Sequence, residues 1–190
     1  MDAWDFPESF RAPDQRVTLR YSNLREISGW GGPLIGALRI EPSEIDFAAR
    51  RFGGPPVWSE DARYVAIPEW AQTHDAFGAD HFSWQVLTIF DLQEMREATR
   101  ADKFSVIQIE AFQAGAIRGV DSPRHQPRAF SASIENSDWR ALGARQTPVV
   151  RAIPMPQQIA GCAVLPIVVG ILTIYGVIYR VGNWIRDKDE

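Results

Sequence analysis

The chain has 190 residues, a formal charge of −4 at pH 7 and a single cysteine. The negative net charge argues against a general nucleic-acid binder. One cysteine excludes an intramolecular disulfide framework and a zinc site made of several thiolates, and the composition indicates no cofactor.

Six segments of the first 145 residues alternate apolar and polar side chains. Gly, Pro, Asn and Asp separate them, as is typical of β-strands. They are residues 17–21, 34–40, 63–67, 84–90, 104–112 and 116–120. We therefore predict a mainly β soluble domain over residues 1–145, either an antiparallel sheet or a small sandwich.

Two stretches of this domain have helical signals. In residues 42–51, Ser43 is a candidate N-cap followed by acidic residues, and residues 91–100 are rich in Glu, Met and Ala. Such residues favour the start and the interior of a helix. We predict one or two short helices beside the sheet.

Residues 58–67 read WSEDARYVAI, and residues 86–92 read VLTIFDL. The first string resembles the W-S-P-D-G-R-Y strand-turn-strand motif of TolB-type β-propeller repeats, with Glu60 in place of Pro and Ala62 in place of Gly. The second is similar to the strand that follows in such a repeat. A closed propeller needs at least four blades of about 40 residues. The resemblance therefore implies a local strand order and a binding scaffold, and not a complete propeller.

Two His-Asp pairs, His74-Asp75 and Asp80-His81, lie between predicted strands, with Glu69 upstream. Two imidazoles and two carboxylates can close on a divalent cation. The glycine and alanines between the pairs are equally typical of a solvated loop. No G-x-S-x-G, Walker, H-E-x-x-H or C-x-x-C motif occurs, so the sequence offers no common catalytic signature. If the chain is an enzyme, this loop is its candidate site, and the enzyme would be metal-dependent.

Tryptophans and arginines are the candidate partner-binding residues. The tryptophans lie in or beside predicted strands, where they either pack in the core or form an aromatic binding surface. The arginines cluster around two prolines, where they either face solvent or contact anionic head groups. The candidates are Trp58, Trp70, Trp84, Arg118, Arg124 and Arg128.

The C-terminal part has the pattern of a membrane anchor. Residues 146–158 contain three prolines and predict a stiff connector, and the 21 residues 159–179 carry no formal charge. A helix of that length spans about 31 Å, close to the hydrocarbon thickness of a bilayer. We predict one transmembrane helix containing Ile159, Pro166, Gly170 and Tyr179, with Trp184 at the interface in the short polar tail 180–190. A buried β-hairpin is the alternative.

The first 20 residues contain no apolar segment typical of a secretion signal. A domain that precedes the anchor and has no export signal is expected to stay in the cytoplasm. We therefore predict a single-pass membrane protein with a cytoplasmic β domain.

These features favour a membrane-anchored protein-interaction module, of an accessory, regulatory or immunity type, and not an enzyme. Its predicted partners are the lipid bilayer and another protein. The alternatives are a metal-dependent enzyme that uses the His74/His81 loop and a structural subunit of a membrane complex.

Overall fold

A computed structural model describes residues 1–27, 31–74, 80–135 and 137–144, without the side chains of residues 72–74, 80 and 81. The chain divides into two units, Met1–Ala152 and Ile153–Glu190, and all described residues belong to the first. The described residues form thirteen strands and no helix. The strands are β1 (Ser9–Arg11), β2 (Thr18–Glu26), β3 (Leu34–Glu41), β4 (Ile45–Asp46), β5 (Arg51–Phe52), β6 (Val57–Trp58), β7 (Tyr64–His74), β8 (Asp80–Asp91), β9 (Arg96–Thr99), β10 (Ile107–Gln113), β11 (Ala116–Asp121), β12 (Arg128–Ser133) and β13 (Arg140–Ala141).

The strands form two antiparallel sheets. The larger has the order β1-β2-β3-β5-β7-β8-β9-β13, with β4 beside β3 and β6 beside β7. The smaller is the meander β10-β11-β12. An isolated bridge between Gln85 and Phe104 links β8 to the segment that enters the smaller sheet. The prediction of a mainly β, antiparallel domain is confirmed, and all six predicted segments overlap strands.

The long β7-β8 hairpin separates two apolar cores. Val65 and Ile67 pack with Phe90 in one core, whereas Ala66 and Ile89 pack in the other. This division follows from the alternation of side chains along a strand. The second core also contains residues of the smaller sheet, namely Ile107, Ile109, Phe112, Ile117 and Ala132.

The prediction of a helix at residues 42–51 is wrong. β3 turns back into β4, and the register pairs Ile40 with Ile45. Glu44 has a φ of 56°, outside the range of a right-handed helix. The Ser43 hydroxyl donates to the carbonyl of Ile40 at 3.2 Å. Strand pairing and burial of Phe47 outweigh the local helix signals.

The prediction of a helix at residues 91–100 is also wrong. Asp91 ends β8, a turn follows, and β9 returns beside β8. Met95 has a φ of 51°, and the amide of Glu94 donates to the Asp91 carboxylate at 3.2 Å. Helix propensities differ by less than about 1 kcal/mol per residue, so pairing with β8 overrides them.

The chain reverses in a tight turn between β6 and β7, which pair with each other. Ala62 has a φ of 57°, and its amide donates to the carbonyl of Ser59 at 2.9 Å. Hydrogen bonds from the Ser59 hydroxyl at 2.6 Å and the Arg63 amide at 3.1 Å lower the pKa of Asp61. β6, β7, β8 and β9 then follow as antiparallel neighbours. This is the local strand order that the TolB resemblance implies, and membership of that family stays a prediction.

The connector, the apolar span and the tail lie outside the described residues. The anchor residues Ile159, Pro166, Gly170, Tyr179 and Trp184 therefore stay sequence predictions. Within the described ranges, no helix has the length and apolar character needed to cross a bilayer.

Candidate functional site

The Arg50 side chain packs on the face of the larger sheet that borders the first core, and it is 2% exposed. Its Nε and Nη2 donate to the two carboxylate oxygens of Glu69 at 2.9 and 2.7 Å, and its Nη1 donates to Glu97 at 2.6 Å. The hydroxyl of Thr88 donates to Glu69 at 2.6 Å. We call these four residues the Arg50 cluster.

Three aromatic rings surround the Arg50 guanidinium. The centroids of Phe47, Phe52 and Phe90 lie 5.0, 5.1 and 6.0 Å from its Cζ. Burial alone would lower the pKa of Arg50, but Glu69 and Glu97 raise it above its ordinary value. The guanidinium stays charged, and its planar fork matches a carboxylate pair. The Arg50 cluster therefore links β7, β8 and β9 at the border of the first core.

Beyond this cluster the same face of the sheet opens into a cavity of about 300 Å³, which we call the Trp84 cavity. Residues two apart on a strand share a face. Ala71 therefore lies on the same face of β7 as Glu69, and Val86 and Trp84 lie on the same face of β8 as Thr88. These three residues line the cavity. The lining residues are Ala71, Trp84, Val86, Glu97, Thr99, Arg100, Ala101, Lys103, Asp138 and Arg140.

Among the described residues, the wall of the Trp84 cavity carries three cations and two carboxylates. Glu97 is already bound by Arg50, and the Asp138 side chain is 97% exposed and 4.0 Å from Arg140. The Lys103 ammonium lies 4.3 Å from a ring centroid of Trp84, and no carboxylate of a described residue pairs with it. The cavity therefore has an excess of positive charge.

Arg100 has an unused hydrogen-bond donor. Its Nε is buried and has no acceptor among the described residues. The Nε lies 3.8 Å from Asp102 Oδ2, which is within ion-pair range but too long for a hydrogen bond. A buried donor without a partner costs about 1–3 kcal/mol, so this position of the Arg100 side chain is unfavourable unless an acceptor reaches the Nε.

A second cavity, of about 440 Å³, shares Arg100 and Lys103 with the first. We call it the β12 groove, because five consecutive residues of β12 line it. Opposite them lie Leu87 and Phe104, and the rings of Phe104 and Phe130 are 4.8 Å apart. The strand residues in the groove are Arg128, Ala129, Phe130, Ser131 and Ala132.

The outer edge of β12 presents backbone amides. The amide of Ile134 donates to the carbonyl of Gly115 at 3.0 Å, in continuation of the β11-β12 register. Hydrogen-bonded pairs alternate along antiparallel strands, so Ala132 and Phe130 bond to β11. The intervening residues turn their amides to the open edge, where no described strand pairs with them. These residues are Ala129, Ser131 and Ser133.

β12 differs from the other outer strands of the two sheets. β1 has three residues and β13 has two, and a register shift between Ile109 and Ala111 interrupts β10. Short strands and bulges protect sheet edges from pairing with other chains. β12 has six residues in unbroken register and contains neither Lys nor Pro. It is the described edge best suited to accept another strand.

The three predicted tryptophans occupy different environments. Trp58 is half-buried against the first core, and Trp70 is 4% exposed inside the domain. Trp84 is half-buried and lines the cavity named after it. Trp84 is thus the predicted tryptophan that lies at the candidate site.

The three predicted arginines contact separate partners. Arg118 is exposed on β11 and donates to Gln113 at 3.3 Å. Arg124 pairs with Asp2 at 2.9 Å, and Arg128 pairs with Asp121 at 2.8 Å. Arg128 alone among them lines the β12 groove.

The predicted metal ligands lie at the end of the β7-β8 hairpin. His74 is the register partner of Asp80, and His81 is that of Thr73. Asp75 and the side chains of the other three lie outside the described residues. Within the described part of the chain, no group of three or more metal-binding side chains occurs. The metal site stays a prediction.

Sequence reasoning missed Arg100, Lys103, Arg140 and strand β12. Arg100 ends the stretch predicted as a helix, and nothing around it in the sequence indicates a binding site. Residues 128–133 do alternate, but Phe130 is their only large apolar side chain. The weak alternation is the signal that could have found β12. The convergence of Arg100 and Arg140 depends on the pairing of β9 with β13 and has no local signal.

No family model, curated protein or solved structure matches this chain significantly. The function therefore rests on the geometry of the site.

Proposed function

We propose that this chain is a membrane-anchored protein-interaction module whose β domain binds an extended segment of a partner protein at β12. The observation that carries the proposal is the row of open amides at Ala129, Ser131 and Ser133 on an unbroken edge strand. In strand addition of this kind, main-chain hydrogen bonds provide affinity and neighbouring pockets provide specificity.

The charges of the β12 groove favour an acidic partner segment. Arg100, Lys103 and Arg128 stand against Asp102 and Asp121. Asp121 accepts hydrogen bonds from the Ser105 amide and from Arg128, both at 2.8 Å, so this pair is balanced and the remaining excess charge comes from Arg100 and Lys103 beside Asp102. Complementary charge speeds association and fixes the register of the partner.

Small side chains make the edge accessible. Ala129, Ser131 and Ser133 are exposed, so a partner backbone can approach without displacing bulky groups. The half-buried ring of Phe130 supplies apolar surface beside them. An added strand would therefore gain both main-chain hydrogen bonds and a limited apolar contact.

The membrane part of the proposal is supported by the uncharged span 159–179. An anchor would confine the domain to the bilayer surface and raise its effective concentration for a partner in the same membrane. Deletion of residues 157–190 should convert a membrane-pelleting protein into a soluble one with a β-type circular dichroism spectrum. Aggregation of the truncated domain, with a full chain freely soluble without detergent, would make the stretch part of a core.

Strand addition is tested with random peptides displayed on phage and selected against the full chain in detergent micelles. We expect the enriched peptides to contain acidic residues. N-methylation of alternate backbone amides of a selected peptide should abolish binding, and N-methylation of the intervening amides should not, because only every second amide faces the neighbouring strand. Equal tolerance at all positions would exclude strand addition.

Two variants at one position isolate the backbone contribution. Ser131→Pro removes an outward amide, and an edge strand tolerates proline where its N–H faces solvent. We expect at least about a tenfold loss of peptide affinity, equivalent to one or more net hydrogen bonds. Ser131→Ala keeps the amide and should bind as the parent does. Unchanged binding by a folded Ser131→Pro variant would overturn the proposal.

A further inference from the structure

We infer that the Trp84 cavity is a carboxylate-binding site that receives an acidic side chain of the segment bound at β12. This inference rests on the proposed function and adds the chemistry of the partner's anchoring residue. The cavity and the β12 groove are adjacent, because Arg100 and Lys103 line both. Val86 lines the cavity and Leu87 lines the groove, so the two openings lie on opposite faces of β8 and meet at Arg100 and Lys103. An acidic side chain of the bound strand would reach the cavity past these two residues.

Arg100 supplies the first argument, and Arg16 supplies a matched comparison within the chain. In each case an arginine Nε lies 3.8 Å from an aspartate two residues away. The Arg16 side chain is 86% exposed, so water satisfies its donors. The Arg100 side chain is 34% exposed, and its Nε is buried without an acceptor among the described residues. The Nε of Arg100 thus has neither a protein acceptor among the described residues nor contact with solvent, and an anion that reached it through a small side-chain shift would supply the hydrogen bond that water gives to Arg16.

The other charges of the cavity define what that acceptor is. Three cations and two carboxylates among the described lining residues leave an excess of one positive charge. A carboxylate brings one negative charge and two oxygens that match the guanidinium fork. A phosphate brings more negative charge toward Glu97 and Asp138. The charge balance therefore favours a carboxylate.

Lys103 and Trp84 complete the site. The Lys103 ammonium is held over the Trp84 ring and has no carboxylate partner among the described residues, so it can share a bound anion with Arg100. Trp84, Val86 and Ala71 offer apolar surface for the methylenes of a glutamate side chain. The site thus combines a charged end with an apolar wall.

The probe is N-acetylglutamate α-amide, which presents the side chain of a peptide glutamate, titrated calorimetrically into the full chain in micelles. Its neutral control is N-acetylglutamine α-amide, which has the same shape without the charge. We expect saturable binding of the acid and at least about tenfold weaker binding of the neutral compound. Equal affinity for both compounds would exclude a carboxylate site.

Variants then assign the binding to the cavity. Arg100→Gln and Lys103→Gln should each remove most of the preference for the acid, and Arg16→Gln should leave it unchanged. A preference that survives in both cavity variants would overturn the assignment. Tighter binding of free glutarate than of the peptide acid would identify a free metabolite, and not a partner side chain, as the occupant.

The two proposals fail in different ways. If Ser131→Pro loses the selected peptides and still binds N-acetylglutamate α-amide, the groove and the cavity act as proposed. If the acid does not bind and the peptides still do, the carboxylate site is wrong and strand addition stands. If the acid binds and no peptide does, both strand addition and the assignment to a partner side chain are wrong.

Discussion

The Arg50 cluster and the Trp84 cavity lie next to each other on one face of the β7-β8-β9 sheet, and each centres on an arginine. Arg50 donates to two buried carboxylates at hydrogen-bond distance. Arg100 has a buried Nε with no acceptor among the described residues. The comparison is between an arginine whose donors are matched by two buried carboxylates and an arginine with one buried donor left unmatched among the described residues.

The physical difference between the two sites is the source of their counter-charges. Glu69 and Glu97 come from strands that already flank Arg50, so its charge is matched as the sheet forms. The acids near Arg100 and Arg140 lie 3.8 and 4.0 Å away on exposed segments. Exposed pairs at such distances contribute little to stability. A ligand can therefore compete for the cations of the cavity at small cost.

The largest effect is expected for Arg50→Met. Removal of the guanidinium leaves two buried carboxylates without their partner, which typically costs about 3–5 kcal/mol of unfolding free energy. Denaturant unfolding at pH 7 measures the loss. The matched control is Arg20→Met, because Arg20 and Glu41 also pair at 2.9 Å but with side chains 52% and 37% exposed. The control should cost less than about 1 kcal/mol, and equal losses would contradict the role of burial.

At Asp91 the charges are the opposite of those at Arg50, because one buried carboxylate lies between two arginines. The Asp91 side chain is fully buried and pairs with Arg63 at 2.8 Å and with Arg96 at 3.0 Å. Burial alone would raise the pKa of Asp91, but hydrogen bonds from Arg63, the Glu94 amide and Arg96 lower it below its usual value. A carboxylate with a lowered folded pKa stabilises the fold above the unfolded pKa of about 3.9, and this stability disappears as the pH falls through the folded pKa.

Asp91→Asn should therefore lose about 1.5–3 kcal/mol at pH 7, the range for hydrogen bonds to a charged group. The variant should also lose less stability than the parent when the pH falls from about 5 to 2. Urea unfolding across this range measures both quantities. A variant with the parental acid slope would show that other carboxylates carry the pH dependence.

Ala62→Gly tests the turn that places Arg63 within hydrogen-bond distance of Asp91. Because Ala62 has a φ of 57°, glycine relieves strain of about 1 kcal/mol, and the entropy of glycine in the unfolded chain offsets part of the gain. We expect a change between neutral and about 1 kcal/mol stabilising in thermal unfolding. Ala66→Gly, in the buried interior of β7, should destabilise. A clear loss in Ala62→Gly would contradict the positive φ.

The smallest loss of stability is expected for Arg100→Gln. Its Nε has no hydrogen bond to lose, and removal of a buried donor without a partner relieves part of its cost, so the free energy of unfolding should stay the same or rise. The same unfolding experiment that measures Arg50→Met measures this variant. A loss comparable to that of Arg50→Met would make Arg100 a structural residue and would remove the contrast between the two sites.

The strand pattern was predictable because alternation is local. A segment such as residues 84–90 shows its two faces in the order of its own residues, and it lies in β8 as predicted. The helix predictions failed at residues 42–51 and 91–100, where the strands are short and the chain reverses through Glu44 and Met95 at positive φ. The composition of a short segment does not show whether another strand is available to pair with it.

The candidate site was predictable only at Trp84 and Arg128. Both belong to residue types that stand out in a sequence, a tryptophan and a member of a basic patch. Arg100 and Lys103 lie in a stretch of sequence with several other charged residues. What distinguishes them is the lack of a hydrogen-bonded carboxylate among the described residues, which only the structure shows. A missing hydrogen-bond partner has no signature in the order of residues.

By itself, the sequence determined the β class of the domain, the positions of its main strands and the reversal of the chain near Ala62, because each depends on residues close together in the chain. Only the tertiary structure decided which charges are matched. Arg50 meets Glu69 across 19 positions and Glu97 across 47, and Arg100 is left with an unused donor. Electrostatic interactions depend on distance in space and on burial, and both are set only when the strands pair and the cores close.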